Sequence, residues 1–131
     1  MPLGVVVSGA NTHDKCLVKP TLESMVIERP KPTRRKPQHL CGDKGYDYPD
    51  VRELVAAWGY TAHIKARGQE EVERQTIPGY RARRWVVERT HSWFNRFRRL
   101  LIRWEKKVAN YLAFVHFACA WVTFRAAGVL G

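Results

Sequence analysis

Acidic residues are scarce in this sequence: Asp and Glu number 12 against 23 Lys and Arg, giving a formal charge of +11 and a pI near 10.1 over 131 residues. So basic a chain carries the electrostatic footprint of a polyanion binder, with nucleic acid as first partner and an acidic membrane surface as second. Cysteine is also sparse. Cys16, Cys41 and Cys119 stand far apart, with no C-x-x-C pair, which argues against a paired-thiol metal motif and leaves small buried thiols in a reducing, cytoplasmic compartment. No basic stretch precedes the short apolar run of "MPLGVVVSGA", so a signal peptide is not expected. The strongly apolar segment Val108 to Phe124 is broken by Asn110 and His116 and falls short of the ~20 residues of a bilayer span. It reads as a buried core helix, and no membrane partner is expected. Internal repeats and low-complexity tails are also lacking.

With 45% hydrophobic residues the chain can close one core but not two, so residues 1–131 read as one domain or part of one. The β-branched run closed by Gly9 predicts a buried strand over Leu3 to Ser8. A helix follows, with Asp14 as its N-cap and Leu17, Leu22, Met25 and Val26 as its apolar face. "RPKPTRRKP", residues 29–37, is an exposed, basic, proline-rich loop presenting Arg34 and Arg35. "QHLCGD" returns to strand and ends at Asp43; a helix runs from Pro49 to Trp58, stopped by Gly59; "YTAHIK" alternates as a short strand. Residues 65–80 read as a polar connector, and two long helices, Arg81 to Trp104 and Val108 to Arg125, finish the chain. The fold class is therefore α/β: three short strands with flanking helices. A sheet this narrow, opening directly in a strand, is what the C-terminal portion of a larger domain would show.

The segment from Arg81 to Lys107 holds ten basic residues and only two acids, Glu88 and Glu105. Val86, Trp93, Phe97, Leu100 and Trp104 recur at helical spacing as an apolar stripe facing a core. Arg84, Glu88, His91, Asn95 and Arg99 recur in the same way on the other side. The plain readings are a surface ion pair between Glu88 and Arg84, and a turn-capping Asp43. The sharper reading uses both acids. An aspartate at the carboxyl end of a strand points toward the crevice where open α/β sheets bind ligands. A helix glutamate set among phosphate-seeking cations could share a divalent metal with it and act on a phosphodiester.

"GDKGYD", residues 42–47, and "RWVVERTHSWFNRFRRL", residues 84–100, together resemble the bacterial insertion-sequence transposases of the DDE class, in particular the family numbered five. "VVVSGANTHD" and the apolar closing helix extend the likeness over essentially the whole chain. The resemblance implies an RNase H-like domain, here its C-terminal part, with two Mg²⁺ or Mn²⁺ ions on an Asp, Asp, Glu triad that cleaves and joins DNA strands. It places the second aspartate at Asp43 and the glutamate at Glu88. Arg84 fits the family's arginine; Arg81 and Asn95 stand where it has a tyrosine and a lysine, with Tyr80 and Arg96 adjacent. Lys44, Arg34, Arg35, Arg84, His91, Asn95, Arg96 and Arg99 are the expected DNA contacts. The family's first aspartate precedes the segment resembling "PLGVVVSG". Its absence leaves two expectations: a transposase portion needing an upstream segment or self-association to act beside the nucleoid, or an inactive remnant or split-frame product that only binds DNA non-specifically. A small basic RNA-binding protein is the third and weakest reading.

Overall fold

The computed structural model describes residues 2–66, 68–79 and 85–128. The centre of the fold is a strand–helix–strand unit. Strand β1, Gln38–Gly42, leads through a 3₁₀ turn at Lys44–Tyr46 into helix α2, Pro49–Ala57, and strand β2, Tyr60–Ile64, returns parallel to β1. Proline at the first helical position is preset for the helix and has no N–H to waste. Gly59 ends it in the left-handed region (φ +77°), open to glycine at little steric cost. Register runs from Gln38 opposite Tyr60 to Gly42 opposite Ile64. Leu40, Tyr60, Ala62 and Ile64 turn one face of the sheet to Val51 and Val55 of α2, and Val55 is 0% exposed. By strand alternation His39, Cys41, Thr61 and His63 share the opposite face, where His39 Nδ1 and His63 Nε2 share a hydrogen bond of 2.8 Å.

Around this unit lie a short helix α1, Val18–Glu23, preceded by a 3₁₀ turn, then helices α3, Gln69–Thr76, α4, Trp85–Phe94, α5, Arg98–Leu101, and α6, Val108–Ala126. The architecture is mixed α/β as expected, but with a two-stranded sheet among the described residues. Leu3 to Ser8 is not a strand. A ladder needs a hydrogen-bonding neighbour, and this run instead passes close against α1: a Cβ on Gly4 would stand 2.6 Å from Ser24 Oγ. His13, not Asp14, caps the first turn through Nδ1. The polar connector contains α3, whose Gln, Glu and Arg are good helix formers.

The single helix expected over Arg81 to Trp104 is broken. α4 stops at Phe94, Phe97 is extended (φ −94°, ψ 98°) and α5 restarts at Arg98. An unbroken helix would stack Arg96, Arg99 and Arg103 at i, i+3 and i+7, a like-charge row that disfavours continuation. The expected apolar stripe is lost with it: Trp104 is 71% exposed. Nor is α6 a buried core helix; Val115 and Ala118 are buried, while Phe117, Trp121 and Phe124 are exposed. Among the described residues no helix is long and apolar enough to cross a membrane. Total accessible surface is 10290 Å², against about 7,100 Å² for a compact monomer of 15.2 kDa. Cys16 is exposed and Cys41 and Cys119 half-buried, so the thiols are less buried than expected.

The basic loop is anchored at its root. Arg29 donates to Gln38 Oε1 and to the Trp58 carbonyl (2.8 Å) and stacks 3.9 Å over the Tyr60 ring. Replacing Arg29 with methionine removes two charge-assisted bonds and leaves their acceptors unpaired. Urea denaturation is expected to show a loss of about 2–3 kcal/mol; a change below about 0.5 kcal/mol would mean that the anchor contributes nothing.

Candidate functional site

Asp43 follows β1 directly, at the carboxyl end of the strand. Its Oδ1 accepts from the Gly45 N–H at 2.8 Å, capping the 3₁₀ turn. A Cβ on Gly45 would stand 3.0 Å from that oxygen, so glycine keeps the approach open. The capping role fixes the carboxylate without using it up: the side chain is exposed and, among the described residues, only Oδ1 is engaged. Asp47, the other acid of "GDKGYD", is committed elsewhere. Arg52 donates Nε and Nη2 to Asp47 Oδ1 (3.0 and 2.6 Å) and Nη2 also to the Ile64 carbonyl (2.6 Å), tying the loop after β1 to the end of β2.

Asp14 also approaches this loop. Burial first, then the negative charges of Asp14 and Asp43, push the Tyr46 hydroxyl above its ordinary value, which places both carboxylates in the field of one ring. Lys15 pairs with Asp50 at 3.5 Å and lies 4.7 Å over Tyr48.

Glu88 lies in the first turn of α4, where the positive end of the helix dipole favours an acid, and its side chain is exposed. Helix α4 lies against β1, so the element carrying Glu88 is beside the strand that ends at Asp43. His91 and Asn95 are exposed at the other end of α4, followed by exposed Arg96. Arg84 falls outside the described residues. Arg99 is engaged in structure: it pairs with Glu105 at 3.0 Å and lies 5.0 Å from the Phe114 ring centre, fastening α5 to α6. Lys44 is exposed beside Asp43. Arg34 and Arg35 form the tip of a tight turn closed by reciprocal Thr33–Lys36 backbone bonds of 3.3 and 3.1 Å, which thrusts both guanidinium groups outward.

The donor set suits a hard divalent cation. Carboxylate oxygens match Mg²⁺ or Mn²⁺, and Mg²⁺ needs only one or two protein carboxylates beside water and phosphate. Among the described residues no group of three or more His, Cys, Asp and Glu gathers as a ready-made metal cluster, so Asp43 and Glu88 would be a partial set. The anchoring roles of Arg29 and Arg52 carry no local signal, because both bind partners distant along the chain.

Residues 40–125 match the family model described as "Transposase DDE domain". The protein named as the transposase for insertion sequence element IS402 of Burkholderia cepacia is 33% identical over 132 residues, covering 96% of this chain and 60% of that relative. The transposase named for insertion sequence element IS6501 of Brucella ovis is 30% identical over 93 residues, covering 66% of this chain and 68% of that relative. The chain thus spans less than two thirds of the first relative's length. No solved structure matches it. Both acids of interest lie inside the matched span, and the chain belongs to the DDE transposase family of insertion sequences.

Proposed function

We propose that this chain is the C-terminal portion of an RNase H-like transposase catalytic domain that cleaves and joins DNA strands, with Asp43 and Glu88 as two of its metal-holding carboxylates. The observation that carries this reading is the packing of α4 on β1, which brings the helix of Glu88 to the strand whose carboxyl end bears Asp43. Asp43 is held by its own cap, and Gly45 leaves that oxygen room. When bound, the divalent ions supply Lewis acidity at the phosphodiester and lower the pKa of the attacking oxygen. The chain's residues bind and orient. Lys44 stands beside Asp43, Arg96 lies beyond the end of α4, and the Arg34–Arg35 turn offers two further cations to phosphate. Arg84, His91 and Asn95 belong to the same proposed DNA-contacting set. Arg99 joins it with its 64% exposed side chain, while keeping its bond to Glu105.

The test is nicking of a supercoiled plasmid carrying element ends, in Mg²⁺ or Mn²⁺. It uses this chain alone and joined behind the N-terminal segment of the Burkholderia cepacia relative. The large accessible surface supports a further transposase segment as partner, covering Phe117 and Phe124 of α6. A second reading, non-specific DNA binding without catalysis, draws on the net +11 charge; the chimera separates the two by whether it nicks.

In both readings the basic turn is proposed to meet phosphate. The Arg34→Ala, Arg35→Ala double variant is expected to reduce the slope of log K against log [salt] by about 2, uniformly across DNA sequences. An unchanged slope removes this turn from the interface.

A further inference from the structure

The break after α4 creates a cleft that the transposase reading leaves unused, and the inference drawn from it rests on that reading. Trp93, Arg96 and Phe97 on one side and Trp121 and Arg125 of α6 on the other line a space of about 490 Å³. That volume lies within the roughly 300–1,000 Å³ of small-ligand sites, too confined for a duplex but sufficient for one unstacked nucleotide. Its lining combines three large aromatic rings with two guanidinium groups and no carboxylate. Trp93 and Phe97 are half-buried, as in a wall, while Arg96 and Arg125 are exposed at the rim and have no acidic partner among the described residues. Aromatic faces accept any base, whereas cations at the rim accept its phosphates.

We propose that this cleft holds an unpaired nucleobase of the DNA strand being processed, stacked on Trp121 beside Trp93, whose ring already carries the Arg89 guanidinium at 4.9 Å, with its flanking phosphates on Arg96 and Arg125. Trp93 lies five residues beyond Glu88 on the same helix, a rise of about 7.5 Å along the axis. That is about two stacked nucleotide steps. Five residues also turn about 140° around the helix, so the cleft and Glu88 lie on different faces of α4, and the base held here is set apart from the phosphodiester that Asp43 and Glu88 address.

The experiment titrates this chain with a short single-stranded DNA and with an abasic oligonucleotide of equal length and charge, reading tryptophan fluorescence. The base-bearing strand is expected to bind at least about tenfold more tightly. Trp121→Leu should remove that preference while keeping salt-dependent binding. Arg125→Gln should weaken both ligands alike and lower the salt slope by about 1, and it keeps the test open if Trp121→Leu misfolds by circular dichroism. Trp104→Leu, altering an exposed ring outside the cleft, should change nothing. Equal affinity for the two strands overturns the cleft proposal alone. Failure to bind any DNA overturns the functional reading with it. An RNA strand bound as tightly, with the same dependence on its bases, overturns the assignment to DNA.

Discussion

Replacing Val55 with aspartate is expected to abolish the cooperative unfolding transition of this protein. Val55 is 0% exposed and sits where α2 meets both strands, with Val51 at 3% and Ile64 at 2% completing a very small core. A carboxylate there would stand among Val51, Ile64 and the half-buried apolar side chains of Val18, Leu40 and Ala62. Its desolvation costs several kcal/mol or holds it protonated, at similar cost near neutral pH. A domain of this size has only about 5–15 kcal/mol in hand. Val55→Ala, by contrast, deletes two methyl groups and should cost about 2 kcal/mol, cavity included. Far-UV circular dichroism against urea checks both. A cooperative transition in the aspartate variant would mean that α2 is not packed as described.

Glu88→Gln should reduce metal-dependent nicking by the chimera by a factor of about 10³ or more. A metal stabilises charge in phosphoryl transfer by several kcal/mol, and each 1.4 kcal/mol is tenfold in rate. Glutamine keeps the size of glutamate but gives up its charge, and so weakens its hold on a divalent ion. Because the side chain is exposed near the start of α4, the fold should survive and DNA binding should change little. Full nicking by the variant would remove Glu88 from the chemistry, and Asp43→Asn provides the matching test at the other carboxylate.

How much of this was legible beforehand depended on how far each signal reached along the chain. Pro49, Gly59 and the alternation of "YTAHI" act locally, and α2 and β2 lie where they indicate. Asp43 was legible as the residue closing a strand, and its capping bond is equally local. Leu3 to Ser8 has the composition of a strand, yet composition supplies no hydrogen-bonding partner, and the run instead lies against α1. The five-residue apolar stripe from Val86 to Trp104 assumed one continuous helix. Its period could not register the extended Phe97, so rings expected in a core line a cleft or, at Trp104, face water. α3 has little apolar periodicity to read, with Val72 its single large apolar residue, although its propensity alone favoured helix. Arg29, Arg52 and the His39–His63 contact join residues far apart in sequence. No spacing rule along the chain announces them.

The parallel pairing of β1 and β2 also bears on how quickly the molecule assembles. Parallel strands require a crossover, and here it is a single short helix, so each β1 residue meets a partner just beyond the end of α2. The closure entropy of so brief a loop is modest and grows only slowly with length. Low sequence separation among native contacts goes with fast folding. The unit from Gln38 to Ile64 is thus suited to act as the folding nucleus, with α4 docking onto β1 afterwards. On that order of events, substitutions at Val51 and Val55 slow refolding, whereas those in α5 and α6 chiefly speed unfolding.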